Sequence, residues 1–367
     1  MTDVGRHAEH VLHLGRHLRL DDNPMLASAA AMHDRLLPVY ALDPTVPRGA
    51  HQEAFLLGSL ADLQASLRAR GSDLLLLREA PPADARDRYE SPMRMIADDD
   101  LPFDAADMPR TYTPFRQRIE KAGTRATQPI PVPDRLPPIP DGISCPTIEP
   151  PDLPLITPGG ESAAHRHWRQ YRDRRLPDTY KETRNNLLGF DDSSKLSAWL
   201  AWGCLSARRI AHDLVVYEGE HGANEGTYWL WFELLWRDFF SLRADQARGG
   251  TVRLDPHDPR WQMLASARLG HPFIDAGMRE LNTTGFLGNR MRQIVASWCI
   301  HELEWPWSVG EAYFARQLID HDPASNVGNW RYIAGQGADP RGGRHFNVEK
   351  QREQYDPDGR YERFWQC

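Results

Sequence analysis

LIDHDPASNVGNWRY, residues 318–332, is the stretch on which the rest of the chain turns. It sets two carboxylates (Asp320, Asp322), two carboxamides (Asn326, Asn329) and an indole (Trp330) within eleven residues. Pro323 and Gly328 interrupt it, so the segment reads as a polar loop entering a helix. Most polar loops are simply solvated. This one lies in a half of the chain crowded with Trp, where polar groups must reach water or hydrogen-bond something polar that is buried.

The 367 residues around it suffice for two domains and a sizeable core. Hydrophobic residues at 41% and charged residues at 26% are ordinary for a globular protein and exclude a disordered chain. No unbroken apolar window approaches about 18 residues, and MTDVGRHAEH is no signal peptide, so a cytoplasmic, non-membrane protein is expected. Cys145, Cys204, Cys299 and Cys367 form no CxxC pair, which speaks against zinc, iron–sulfur and a disulfide framework. A net charge of -7 excludes a uniformly basic nucleic-acid binder, so any phosphate contact must come from a local patch. The positive charge is almost all Arg, which suits phosphate well.

Toward the N-terminus, HVLHL (10–14), LLPVYAL (36–42) and the apolar run 74–77 read as buried strands, separated by RLDDNP with an Ala-rich helix and by a helix over 55–70. Strand, helix, strand, helix, strand implies a parallel sheet with right-handed crossovers. No GxGxxG follows the first strand, so a Rossmann dinucleotide site is not supported. Beyond Arg78 the pattern fails: residues 78–110 are acidic and weakly periodic, 111–123 can form one helix, and 127–158 is a Pro-rich connector. The expected division is a shortened α/β domain over 1–110, a helix and connector over 111–158, and an all-α domain over 159–367.

Within that helical half, TYWLWFELLWRDFF places Glu233, Trp236 and Arg237 at i, i+3 and i+4, on one face of a nearly all-apolar helix. This is either an i,i+4 ion pair beside a core Trp or a pair of buried charges that a polar ligand completes. Asn289, Arg290, Arg292 and Gln293 open another helix, where free N–H groups favour anions. YKETRN (180–185) and DSSKLS (192–197) supply hydroxyls and Lys195, which can cap a helix or hold a pyrophosphate.

Taken in order, YKETRNNLLGFDDSSKLSAWLAWGCLS, TYWLWFELLWRDFF, PFIDAGMRELNTTGFLGNRMRQIVASW, LIDHDPASNVGNWRY and DPRGGRHFNVEKQREQYDPDGRY resemble the photolyase/cryptochrome family, most closely its cryptochrome-DASH branch. The resemblance covers residues 159–367, with a weaker match to the N-terminal strands and RLDDNP. It implies a Rossmann-like α/β domain with a truncated parallel sheet, followed by an all-α domain that binds FAD in a U shape. By motif, Tyr180, Ser193, Ser194, Lys195, Leu196 and Ser197 would hold the pyrophosphate, Glu233, Trp236, Asn289 and Arg292 would line the site of the adenine and the lesion, and Arg237 would be among the cofactor-binding residues. Arg292 and Asp320 would flank the isoalloxazine as an ion pair, Asp322 would meet its polar edge, and Asn326 would sit at N5, where a donor is expected. Trp330 and Trp307 match the inner and middle electron-transfer tryptophans.

The chain departs from the family in places. The outer Trp has no counterpart, and Trp261 in HDPRWQML is its candidate substitute. Gln293 and Tyr332 replace residues that other branches turn to the lesion, and Gly288 stands where a His would favour a (6-4) substrate. A segment the size of a βα unit is missing after Leu77, where relatives build much of the antenna pocket. Residues 93–109 and the connector are expected to cover the sheet edge in its place. The expected activity is therefore that of a deoxyribodipyrimidine photolyase, a carbon–carbon lyase with FAD alone and no antenna chromophore. As a monomer it would split cyclobutane dimers in UV-damaged DNA, preferring single strands because flipping is easiest there. Arg290, Arg341 and Arg344, with Gln293 and Tyr332, are the candidate DNA contacts. The alternative is a cryptochrome-type blue-light photoreceptor without repair. The altered first domain speaks for it, and the lack of an extension after Cys367 speaks against it.

Overall fold

The computed structural model describes residues 10–90, 93–243, 255–337 and 342–366. Strands β1 (Val11–His13), β2 (Leu37–Ala41) and β3 (Leu75–Leu77) form one parallel sheet in the order β1-β2-β3. Leu12 pairs with Pro38, and Tyr40 with Leu76. The crossovers are α1 (Pro24–Met32) and α2 (Ala50–Arg68), so the alternation read from the sequence is the one that forms. RLDDNP starts α1: Asn23 accepts the Leu26 N–H, and Pro24 takes the first helical position, where no donor is needed. In α2, Phe55, Leu56, Leu60, Leu63 and Leu67 are buried at helical spacing, which fastens that face to the core.

No further strand follows β3 among the described residues. A short α3 (Arg86–Glu90) leads through irregular turns to α4 (Tyr112–Ala122), which Gly123 ends at φ 68 in the left-handed region. Of the two segments expected to cover the sheet edge, the connector packs on a face of the sheet instead. Ile139, Ile143 and Cys145 of the connector pack on Leu37, Val39 and Leu75, and Arg35, Gln64 and Arg68 donate to connector carbonyls. The start of the 93–109 segment docks elsewhere, because the Met95 and Ile96 N–H groups bind the buried Asp238 carboxylate at 2.9 and 2.8 Å.

The rest is helical: α5 (Glu161–Asp173), α6 (Tyr180–Thr183), α7 (Ser197–Trp202), α8 (Ala207–His221), α9 (Glu225–Leu242), α10 (Pro259–Ala265), α11 (Pro272–Thr284), α12 (Asn289–Ser297), α13 (Trp307–Gln317), α14 (Pro323–Ile333), α15 (Val348–Tyr355) and α16 (Arg360–Phe364). The helix expected over 289–303 loses its α register after Ser297 and continues as a π turn over Trp298–Glu302. Helices α10, α15 and α16 give little sequence signal because so few turns show little periodicity. No helix among the described residues is long and apolar enough to cross a membrane.

Two junctions set how the sheet region meets the helices. Gly159 lets α5 begin against α2, since a Cβ there would lie 2.7 Å from Ser59 N and nearer still to Phe55 O. Arg16, buried just past β1, donates through Nη1 to Ala201 O and His321 O, both at 2.8 Å, while its guanidinium lies 4.6 Å from the Trp202 ring centroid. One side chain from the sheet region thereby ties the end of α7 to the Asp320-His321-Asp322 turn.

Candidate cofactor cavity

Between the core that runs from the sheet through α7, α8 and α9 and the core built on α10 to α14 lies a cavity lined chiefly from α6, α7, α9, α12 and α14. One wall is Tyr180 with Ser193, Ser194, Lys195, Leu196 and Ser197. Lys195 sits at φ 53, a left-handed conformation that residues with a Cβ seldom adopt. The turn is held by Lys195 Nζ donating to Ser193 Oγ at 2.8 Å and by His167 Nε2 against Ser194 O at 2.8 Å. The N-cap of α7 is Leu196, with no side-chain cap, so these hydroxyls do not serve as its cap. Burial lowers the Lys195 pKa, and Glu280 opposes that shift.

On the facing wall, Glu233 and Arg237 do not pair with each other. Glu233 Oε1 accepts from Arg184 Nη1 at 2.6 Å, and burial raises its pKa against the pull of that cation. Arg237 donates to Met93 O at 3.1 Å and Leu200 O at 3.3 Å, leaving its Nε buried without a partner. Arg184 was assigned no role from the sequence, although its spacing from Tyr180 sets both on one face of α6 and the turn after it. Trp236 is not among the residues lining the cavity. It lies beside Glu233 and Arg237 on α9, stacked on Tyr112 and edge-on to Tyr332, which is likewise outside the lining.

The third wall joins Asn289, Arg292 and Gln293 of α12 to Asp320, Asp322 and Asn326. Arg292 Nη2 donates to Asp320 Oδ2 at 2.7 Å, with the Asp320 side chain 2% exposed. The other oxygen, Asp320 Oδ1, is buried and unpartnered. Asp322 Oδ1 caps α14 by accepting the Ser325 N–H at 2.8 Å. Asn326 Nδ2 donates to Glu311 O at 3.1 Å and to Glu311 Oε1 at 2.8 Å. A backbone carbonyl only accepts, which fixes the amide orientation. The group that Asn326 has left for a ligand is thus its carbonyl oxygen, an acceptor where the sequence led us to expect a donor. Glu311, missed from the sequence, is fully buried; burial pushes its carboxyl up to about 7, and the bond to Asn326 pulls the other way. Its one signal was a lone acid inside a largely apolar helix.

Trp330 lines the cavity and packs on Phe314 with ring centroids 5.1 Å apart. Trp307 begins α13, and its Nε1 donates to Gln336 Oε1 at 2.9 Å near the surface. Trp307, Gly310 and Phe314 share one face of α13. Trp261 meets α13 at Tyr313, with ring centroids 4.7 Å apart, and lies under Arg316. Among the described residues no ring contact joins Trp261 to Trp307 or Trp330, and its ring contact on α13 is with Tyr313, off the Trp307–Gly310–Phe314 face. Arg290 packs on Tyr355 and reaches Asn185, and Arg344 lies over Tyr332. Arg341 lies outside the described residues.

Two family profiles match the chain: "FAD binding domain of DNA photolyase" over residues 229–366 and "DNA photolyase" over residues 11–88. Cryptochrome DASH of Idiomarina loihiensis is 36% identical over 95% of this chain and 90% of its own length, and cryptochrome DASH of Arabidopsis thaliana is 36% identical over 95% and 74%. A cryptochrome of Synechocystis superposes with a TM-score of 0.87 at 33% identity, covering 98% of this chain and 89% of its own. A class III photolyase of Agrobacterium tumefaciens does so with a TM-score of 0.79 at 26% identity, covering 98% and 86%.

Proposed function

The chain belongs to the photolyase/cryptochrome family, and from that premise we propose that it is a light-driven DNA repair flavoenzyme that splits cyclobutane pyrimidine dimers, most readily in single-stranded DNA. The observation that carries this proposal is the wall where the Arg292–Asp320 ion pair stands beside Asn326, itself oriented by Glu311. The residues fit FAD: the Ser193–Ser197 turn offers an ammonium and hydroxyls that do not cap α7 for a pyrophosphate, and Arg237 Nε and Asp320 Oδ1 are buried polar atoms that lack partners. FAD, when bound and reduced, supplies under blue light the electron that opens the cyclobutane ring and takes it back afterwards. Arg292 would set positive charge beside an anionic ring system, and Asn326 would offer its carbonyl oxygen as an acceptor to it.

The lesion side is built from other groups. Arg184 holds one oxygen of Glu233, which leaves the second to meet the polar edge of a flipped base. Arg184 and Arg290, with Arg344 near Tyr332, form the local basic rim that a chain of net charge -7 needs for phosphate. Unpairing costs a few kcal/mol in a duplex and little in a single strand, hence the expected preference.

The test is illumination of reduced protein with dimer-containing oligothymidylate. Dimers should vanish in light and persist in darkness, with single strands repaired faster than duplex. Glu233→Gln should keep the flavin spectrum and the thermal midpoint while the repair yield falls. If flavin binds and bleaches normally but no dimer is lost, the protein is a photoreceptor and the repair proposal is wrong.

A further inference from the structure

We propose that Tyr112 of α4, outside the helical region proper, is a positioning residue that holds Trp236 at the rim of the cavity for the lesion. The proposal rests on the repair function. Around α9, Leu230, Glu233, Leu234 and Arg237 turn to the cavity, while Phe232, Trp236 and Phe239 turn toward α4. Trp236 is at the border between these faces, so one side of its indole can be backed from α4 and the remaining edge left for a base.

Tyr112 supplies that backing. Its ring lies parallel to Trp236 at 9°, with centroids 3.6 Å apart, whereas Phe239, Phe240 and Tyr332 meet the same indole edge-on or tilted. Tyr112 is itself fixed. It is buried, its hydroxyl donates to Phe232 O at 2.9 Å, and Phe232 and Phe239 both meet its ring at 81°. A Trp at a cavity rim turns freely about χ1 and χ2 unless something locks it, and a contact group that must be ordered on binding loses affinity. With Tyr112 behind it, the indole is ordered before the lesion arrives.

Selectivity should change rather than general DNA affinity, because phosphate contacts do not pass through Trp236. Tyr112→Met keeps most of the volume with a flexible chain, and Tyr112→Leu is a second, smaller variant. Each should reduce the ratio of dimer-containing to undamaged oligothymidylate affinity by about three- to tenfold, the span of a single aromatic pair. Undamaged affinity and the flavin spectrum should stay as in the unsubstituted protein. Tyr112→Phe keeps the stack and should keep the ratio. Phe115→Met is the control for lost core packing, since the Phe115 ring is buried against Phe103, Tyr112 and Phe239. It should lower the thermal midpoint and leave the ratio alone. An unchanged ratio in Tyr112→Met, or an equal loss in Phe115→Met, overturns the role of Tyr112 while leaving repair intact. If the unsubstituted protein does not distinguish dimers from undamaged strands, the repair function falls and this inference with it.

Discussion

Replacing Gly310 by Ala should destabilise the protein, although helix propensity argues the opposite. In an unconstrained helix interior, Ala is better than Gly by about 0.8–1.0 kcal/mol. At Gly310, however, an added Cβ would lie 2.6 and 2.7 Å from Cζ3 and Cζ2 of Trp330, and nearer still to Cη2. Carbon atoms pack at about 3.5–4.0 Å, so the indole would have to recede by about 1 Å or more. Trp330 is 3% exposed, its ring is rigid, and Phe314 stands against it, so it cannot turn aside. Overpacking of that kind costs about 1–3 kcal/mol, and a rigid neighbour places it toward the upper end. The net expectation is a loss of about 1–2 kcal/mol after the propensity gain. Trp330 also shares α14 with Asn326, one turn earlier, so displacing the indole disturbs the wall proposed to meet the flavin.

The assay is urea unfolding at equal FAD occupancy, with Gly219→Ala as the internal comparison. Gly219 lies in α8 with open space where its Cβ would go, so the same substitution should there stabilise by about 0.5–1 kcal/mol. Opposite signs at the two sites are expected. A Gly310→Ala protein as stable as the unsubstituted one would mean that α13 and α14 separate easily, and the packing argument would fail.

Trp330→Phe and Trp307→Phe should each abolish light-driven reduction of oxidised flavin, whereas Trp261→Phe should leave its rate unchanged; a loss in Trp261→Phe would put the route through Tyr313 instead. Glu311, moved by burial from 4.5 to about 7, binds a proton in the folded state that the unfolded chain has released, so its contribution to stability is full below about pH 4.5 and is lost as pH rises through about 7. Urea unfolding across that window should fall by about 3 kcal/mol from this group, and Glu311→Gln should flatten the slope. Glu280 is also raised to about 7, so part of the slope should remain, and identical slopes in both proteins would refute the assignment. Purified protein should show flavin absorption alone, because Tyr89 and its backbone lie against the ends of β1 and β2, where an antenna chromophore would need room. The Tyr89 hydroxyl accepts the Ala41 N–H at 2.7 Å, and a Cβ on Gly15 would lie 2.8 Å from Tyr89 N. A stoichiometric folate or deazaflavin band contributing to the action spectrum would contradict this.

Much of the fold was legible because its signals are local. Asn23-Pro24 starts α1, the Leu spacing makes α2, and the apolar runs give three strands in the right order. The cavity was legible by motif for a different reason: the SSKLS turn, Asn289 to Gln293 and Asp320 to Asn326 are short segments whose residues stay together wherever the helices carry them. The features that escaped depend on contacts distant in sequence. Arg16 reaches His321 across 305 residues, and Tyr112 reaches Trp236 from a helix that periodicity left as an isolated element. Glu233 has Arg237 one turn away, yet it pairs with Arg184, a choice no helical spacing rule could make.

Several residues that break local rules meet at one place. Lys195 carries a side chain at positive φ, Arg237 Nε and Asp320 Oδ1 are buried without partners, and Glu311 keeps an acid in a buried helix–helix contact. Each is unfavourable for folding alone, since an unpaired buried polar group costs about 1–3 kcal/mol and a strained backbone a similar amount. Buried polar atoms without partners and positive-φ residues occur elsewhere too, at Thr157, Tyr171 and Ala267 for instance, so what counts here is that these share one site. Lys195, Arg237 and Asp320 line a single cavity, and Glu311 acts on it through Asn326. A ligand with an anionic centre and hydrogen-bonding aromatic ends would relieve several of these defects at once, so its binding should raise stability by mass action. It follows that removing the flavin should destabilise the region around α7, α12 and α14 more than the sheet. Hydrogen exchange on flavin-free protein should open those helices first and leave β1 to β3 protected, and uniform loss of protection would separate these strained residues from cofactor binding.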